Sequence, residues 1–274
     1  MNNCTILTNR LILNELTTDN VKDLTKIALN NAKLTSEFLV NYLKENINSY
    51  NEELIKRYGI EKLLKYTKNN EKEIADEDLF SFFGNTQYPF RESSKGLIKK
   101  AIEKRNEEQR SGYYLGIYLK ERPTKLIGIF IITSKLFETK SGTRTGYFGY
   151  MIDTKFQRNG YITEAKSAIF DLFLNYILKS DPLFNEKTVL YATAHPLNFK
   201  SDLLQKKFGA QMGNEIINPN SLYGSRVDYF FHQDSLNNIL NGTENNEYIA
   251  IINNIIIKKN NKILTKTSLN SCFY

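Results

Sequence analysis

Tryptophan is missing from the 274 residues, and cysteine and histidine occur only twice each. The two cysteines, Cys4 and Cys272, lie near opposite ends and have no spacing that would staple a small fold or hold a metal. With His195 and His232 as the only imidazoles, a Cys/His metal site is excluded by ligand supply. Both thiols read as ordinary free cysteines of a reducing compartment. No apolar run is long enough to span a bilayer: the best, Tyr248–Ile257, is interrupted by Asn253 and Asn254. The start, Met1–Thr8, lacks a basic segment followed by a long apolar run, so a cytoplasmic protein is expected. There is no Gly-rich loop ending in Lys-Ser/Thr and no triple-glycine dinucleotide fingerprint. No internal repeat is found.

What is present is the composition of a soluble globular protein, 41% hydrophobic and 24% charged. The length suits one large domain or two small ones. A net charge of +7 would suit an anionic partner. Yet the basic residues are interleaved with acids, as in Glu103-Lys104-Arg105-Asn106-Glu107-Glu108, which is the pattern of a solvated helix face. Nucleic acid is therefore not expected as the main partner.

Along the chain, Arg10–Leu16 alternates as a short strand, and Thr17-Thr18-Asp19 offers caps for a helix to about Asn30. A polar helical stretch runs from 35 to about 83. Ser93-Ser94 would cap a helix over 95–110. Tyr113–Leu119 and Leu126–Thr133 form a hairpin around Glu121-Arg122-Pro123-Thr124, and Gly146–Asp153 is a further strand. Thr163–Leu178 is the best helix, with Ala165, Ala168, Ile169, Leu172, Phe173, Tyr176 and Ile177 on one apolar face. Then come a strand at Val189–Ala194, a helix at Ser201–Phe208, and closing strands at Gln211–Ile217 and Arg226–His232. The order is mixed: antiparallel hairpins first, then strand–helix–strand–helix–strand. A domain over 1–234 is expected, carrying a helical insertion at about 35–80. An Asn/Ile-rich extension at 235–274 follows, which would form a hairpin from Ile255–Lys258 and Lys262–Thr265 around Lys259–Asn261.

The chemistry concentrates where the strand ending Tyr150-Met151-Ile152-Asp153 turns through Gln157-Arg158-Asn159-Gly160-Tyr161-Ile162 into the best helix. The first amides of a helix lack internal partners and carry partial positive charge, so this junction is a ready anion site. Gly160 lets the backbone approach an anion closely, and Arg158 adds charge. By itself the pattern is also that of an ordinary strand-to-helix connection.

The segment resembles the acetyl-CoA signature of the GNAT acetyltransferase superfamily, Gln/Arg-x-x-Gly-x-Gly/Ala, with Gln157 and Gly160 in place and Ile162 departing from the small last residue. Three further segments resemble the ribosomal-protein N-terminal acetyltransferase branch: Thr8–Leu13, Gly160–Ala165, and Asn198-Phe199-Lys200-Ser201 followed by Leu204, Lys207, Phe208, Gly209 and Ala210. They come in the family's order and cover about 8–30 and 85–232. The resemblance implies an α/β fold of the α+β type. Its central sheet is mixed and mostly antiparallel, with helices on both faces and a splayed middle strand pair.

It also implies acetyl-CoA as co-substrate and a primary amine as acceptor, either a protein N-terminus or a small molecule. The pantetheine arm would pair with Tyr150, Met151 and Ile152. The pyrophosphate would rest on amides from Gln157, Arg158, Asn159, Gly160, Tyr161, Ile162 and Thr163. Asn198 would touch the cofactor arm, and Ser201 would stand near the sulfur, where a hydroxyl can protonate the departing thiolate. Asn198 and Ser201 equally suit a helix cap. Relatives often keep an acid just before the Gly-Tyr of the strand. Here Tyr147 stands there, leaving Tyr147, Glu138 or a water chain as the proton acceptor. His195 reads as a strand-end residue. An acetyl-CoA-binding module without catalysis, and a homo-dimer built through the insertion or the tail, stay open.

Overall fold

Leu115, Ile117 and Leu119 alternate with Tyr114 and Tyr118 along one strand, and the two sets enter different cores. That strand sits inside a large sheet with helices on both faces. The computed structural model describes residues 4–28, 30–31, 90–138, 142–196, 198–217, 225–242, 247–252, 255–258 and 263–264. The helices expected between 35 and 83, the turn at 259–261 and Cys272 lie outside the described residues.

In chain order the strands are β1 (Cys4–Leu7), β2 (Leu11–Glu15), β3 (Gly112–Leu119), β4 (Arg122–Thr133), β5 (Phe137–Glu138) and β6 (Arg144–Ile152). They continue with β7 (Thr188–Ala194), β8 (Gln211–Ile217), β9 (Ser225–His232), β10 (Ile249–Ile252), β11 (Ile255–Lys258) and β12 (Ile263–Leu264). Residues 21–28 form α1. The later helices are α2 (Phe90–Asn106), α3 (Tyr161–Leu172), α4 (Phe199–Lys207) and α5 (Gln233–Gly242). The sheet order is β12-β11-β10-β1-β2-β3-β4-β6-β7-β9-β8, with β5 beside the start of β6. Neighbours run antiparallel except β6 and β7, which are parallel and joined across the face by α3.

The face carrying α3 holds the larger core, where Phe148, Phe170 and Phe231 meet edge to face. The other face packs Leu24 and Ile27 of α1 and Ile98 and Ala101 of α2 against Tyr114, Tyr118, Leu126 and Ile129.

Several local expectations need correction. Helix α2 starts at Phe90, so Ser93 and Ser94 lie inside it and Ser94 is buried. Serine costs a helix interior little, and packing against the sheet outweighs that cost. The hairpin turn is tighter than Pro123 suggests: β4 begins at Arg122, and a register shift near Tyr118 absorbs the irregularity. Helix α3 begins at Tyr161 and widens into a π-type turn over Phe173–Ile177. The segment after 232 opens with the unforeseen helix α5, whose Leu236 and Leu240 join the main core with Tyr248 and Ala250. Strand β10 pairs with β1, and β11 with β12, so this segment extends the sheet past the chain's first strand.

Candidate functional site

Strands β6 and β7 pair only over Arg144–Tyr147 and Thr188–Tyr191. Beyond that, β6 stays with β4 through Phe148↔Ile132 to Ile152↔Gly128, while β7 stays with β9 through Ala194↔Val227. The two central strands therefore part at Tyr147 and Tyr191 and leave a wedge. Gly128 lets β4 hold the far end of β6 closely, since a Cβ there would lie 2.6 Å from the Met151 carbonyl oxygen. Along the wedge, the edge of β6 carrying Tyr150, Met151 and Ile152 has no strand partner among the described residues.

At the wedge's end, Asp153 accepts from the Lys155 amide at 3.1 Å and starts a turn over Thr154–Phe156. The chain then passes Arg158 at φ 64° and Gly160 at φ 77°, both left-handed, before α3 begins. The first amide of α3 with a helical partner is Glu164, bonded to the Gly160 carbonyl at 3.0 Å. The amides before it point toward the turn, as helix geometry requires. Ile162 is buried and packs into the main core.

Neighbouring elements brace this loop. Asn31 donates to the Ile152 carbonyl at 2.7 Å and accepts from the Gln157 amide group at 3.0 Å. Lys200, on the first turn of α4, donates to Gln157 Oε1 at 2.9 Å. Partial burial, and secondly the charge of Arg158, hold the Lys200 ammonium below the ordinary lysine range. Two cations thus crowd one loop, an arrangement that an anion relieves. Arg10 donates to the Asn159 carbonyl at 3.0 Å and lies 4.7 Å over the Tyr161 ring.

Across the wedge, Asn198 caps α4 by accepting from the Ser201 amide at 3.2 Å. The Ser201 hydroxyl lies 3.2 Å from the Tyr150 hydroxyl, and the Gln205 amide group donates to both, at 3.3 and 3.2 Å. Burial pushes the Tyr150 phenol up to about 12, against the opposing effect of the Ser201 hydrogen bond.

Tyr147 stands at the branch point, 42% exposed, with its ring 6.1 Å from that of Tyr191. Glu138 is exposed on β5. His195 follows β7, and its carbonyl accepts from the Asn198 amide at 2.8 Å. Lys200 carries no sign of a role in the sequence, because its nearness to Arg158 exists only in three dimensions. Gln205, described below, is equally unmarked. Lys166 had a visible sign: it stands four residues from both Ile162 and Phe170, on an apolar helix face.

The sheet is mixed, and its parallel central pair splays open against a helix N-terminus. Residues 69–211 match the family model of the acetyltransferase (GNAT) domain, and the chain belongs to the GNAT acetyltransferase family. No curated protein matches the sequence. Among solved structures, the chain is similar to Mycobacterium smegmatis RimJ in complex with CoA-disulfide: 11% identity, 88% of this chain and 95% of that one, TM-score 0.49. It is also similar to the microcin C7 self immunity acetyltransferase MccE in complex with acetyl-CoA and AMP: 14% identity, 82% and 93% coverage, TM-score 0.46. A third is the ribosomal L7/L12 alpha-N-protein acetyltransferase RimL in complex with coenzyme A: 12% identity, 83% and 96% coverage, TM-score 0.45. The family assignment rests on the sequence match.

Proposed function

We propose that the protein transfers the acetyl group of acetyl-CoA to a primary amine, by direct attack while both are bound. The observation that carries this reading is the wedge between β6 and β7, which ends on the turn holding Arg158 and Gly160, with Lys200 of α4 reaching that turn from the side. An arm with amide groups suits the unpaired edge at Tyr150, Met151 and Ile152. A pyrophosphate suits the amides from Arg158 to Thr163 and the two crowded cations, while the expected Gln157 amide is already bonded to the Thr154 carbonyl at 3.3 Å. The fit is one of charge as well as shape.

Acetyl-CoA supplies the activated thioester. The chain's own groups do the rest. Backbone N–H groups on the free edge of β6 stabilise the oxyanion that forms when the amine adds. Ser201 and Tyr150 offer hydroxyl protons to the departing sulfur. Asn198 holds the first turn of α4, and so Ser201, in place. Tyr147 occupies the position where an acid would take the amine's proton. This observation favours one second reading: a module that binds acetyl-CoA without turning it over.

Native mass spectrometry of the purified protein, followed by calorimetric titration with acetyl-CoA, tests the first part. Binding by the wild type and its loss in Gly160→Trp are expected; equal binding by that variant overturns the loop assignment. A panel of peptides and small amines, read by release of free CoA thiol, separates the enzyme from the binding module.

A further inference from the structure

Lys166 is fully buried in α3, and none of its surface reaches solvent. Its ammonium nitrogen lies 4.4 Å from the ring centres of Phe208 and Phe231. Phe148 is at 5.0 Å, Phe170 at 5.1 Å and Tyr150 at 6.0 Å. A cage of ring faces favours the charged form, opposing the burial that pushes this amine well below the ordinary lysine range. The polar contact of Nζ in this cage is Gln205 Oε1, at 2.7 Å. Gln205 is equally buried and stands between Lys166 and the Tyr150–Ser201 pair.

The side of Gln205 that faces Lys166 decides what the two hydroxyls can do. An ammonium donates and accepts nothing, so it tolerates only the carboxamide oxygen. The NH2 group is then turned toward Tyr150 and Ser201 and donates to both oxygens. Of the two hydroxyl protons, one joins Tyr150 to Ser201, and the other has no acceptor within this triangle. In the reversed orientation the carboxamide oxygen would accept from both hydroxyls and occupy both protons.

We propose that Lys166 and Gln205 are positioning residues for acetyl transfer, Lys166 locking the Gln205 amide so that the Tyr150–Ser201 pair keeps one proton for the leaving sulfur. The inference rests on the acetyl-CoA reading given above. As the carbon–sulfur bond breaks, its electron pair stays on sulfur, which takes that hydroxyl proton and leaves as the thiol. The Gln205 N–H groups stabilise the hydroxyl oxygen left behind. Solvent returns a proton to that oxygen and receives the one lost by the amine.

Two variants test the lock on the whole protein with CoA as the probe. Lys166→Met fills the same cage with an apolar chain and frees the amide to turn. Gln205→Glu keeps a partner for Lys166 but puts an acceptor where the NH2 group stood. The thiol of bound CoA is titrated by the ultraviolet absorbance of its thiolate. A hydroxyl donor at sulfur favours the thiolate, so both variants should move the midpoint up by about one pH unit. Acetyl-CoA affinity should stay within about twofold, because neither side chain lies at the phosphate loop. An unchanged midpoint in whichever variant folds and binds CoA overturns the lock alone. A wild type that binds no CoA overturns the lock together with the acetyl-CoA reading.

Discussion

The guanidinium of Arg10 meets the carboxylate of Glu164 at 2.7 Å, joining residues 154 positions apart. Glu164 also accepts from the Arg10 amide at 2.8 Å and from the Thr8 hydroxyl at 2.6 Å. The turn between β1 and β2 and the first turn of α3 are thereby one unit, with the candidate phosphate loop held against it. Two of the segments that resemble the family pattern are thus halves of a single brace.

That brace should be visible in acid. Desolvation alone would raise the Glu164 carboxyl, but the Thr8 and Arg10 hydrogen bonds and the Arg10 charge hold it below its ordinary value of 4.5. A carboxyl lowered by folding contributes stability above its unfolded value and loses it as pH falls through the folded one. Glu164→Ala strands the Arg10 amide and leaves the Thr8 hydroxyl only the longer bond to the Leu11 carbonyl, a loss of about 2 kcal/mol at neutral pH. Urea denaturation of both proteins should show this gap closing at pH values below about 4.5.

Arg158 should show stability and binding moving in opposite directions. Its left-handed backbone, φ 64°, costs a side-chain-bearing residue about 1 kcal/mol that glycine avoids. Arg158→Gly is expected to raise the melting temperature by a few degrees, on the order of 1 kcal/mol. The same variant should bind acetyl-CoA more weakly, with less dependence on salt, in calorimetry at two ionic strengths.

Lys200 should report the same loop through pH. Its ammonium is held down by burial and by Arg158, so wild-type affinity for acetyl-CoA should fall as alkaline pH is approached. Lys200→Met should bind about fivefold more weakly at neutral pH and lose that alkaline decline. Parallel titrations across pH decide it; identical profiles would remove Lys200 from the phosphate site.

Away from the site, Arg110 and Glu15 form a buried ion pair between the segment leading into β3 and the end of β2. Burial raises the Glu15 carboxyl despite the Arg110 charge beside it. Arg110→Met leaves that carboxylate buried beside an apolar chain and should cost about 3 kcal/mol. Adding Glu15→Leu should recover most of the loss in denaturant midpoints, because the pair's net contribution is small.

Much of the fold was legible because its signals are local. Alternation in Tyr113–Leu119 and the apolar face of Ala165, Ala168, Ile169 and Leu172 depend on a few neighbouring side chains. The Asn198 cap needs only the next turn of chain. Helix α5 was missed because it is held by burial of Leu236 and Leu240 under the sheet, a force that pattern reading cannot see. The start of α2 at Phe90 shifted for the same reason, since packing overrides a serine pair, whereas α3 starts at Tyr161 directly after its left-handed N-cap Gly160.

By itself the sequence determined that a turn ending at Gly160 joins a strand to a strong helix, and the order of the segments resembling the acetyltransferase pattern. Periodicity and glycine placement act within a turn or two, so they survive in one dimension. Only the tertiary structure decided where β6 parts from β7, that Arg158 and Lys200 crowd one loop, and that Lys166 reaches Tyr150 and Ser201 through Gln205. Those relations depend on distances between distant segments, and Coulomb forces, burial and hydrogen bonds act on distance in space, not along the chain.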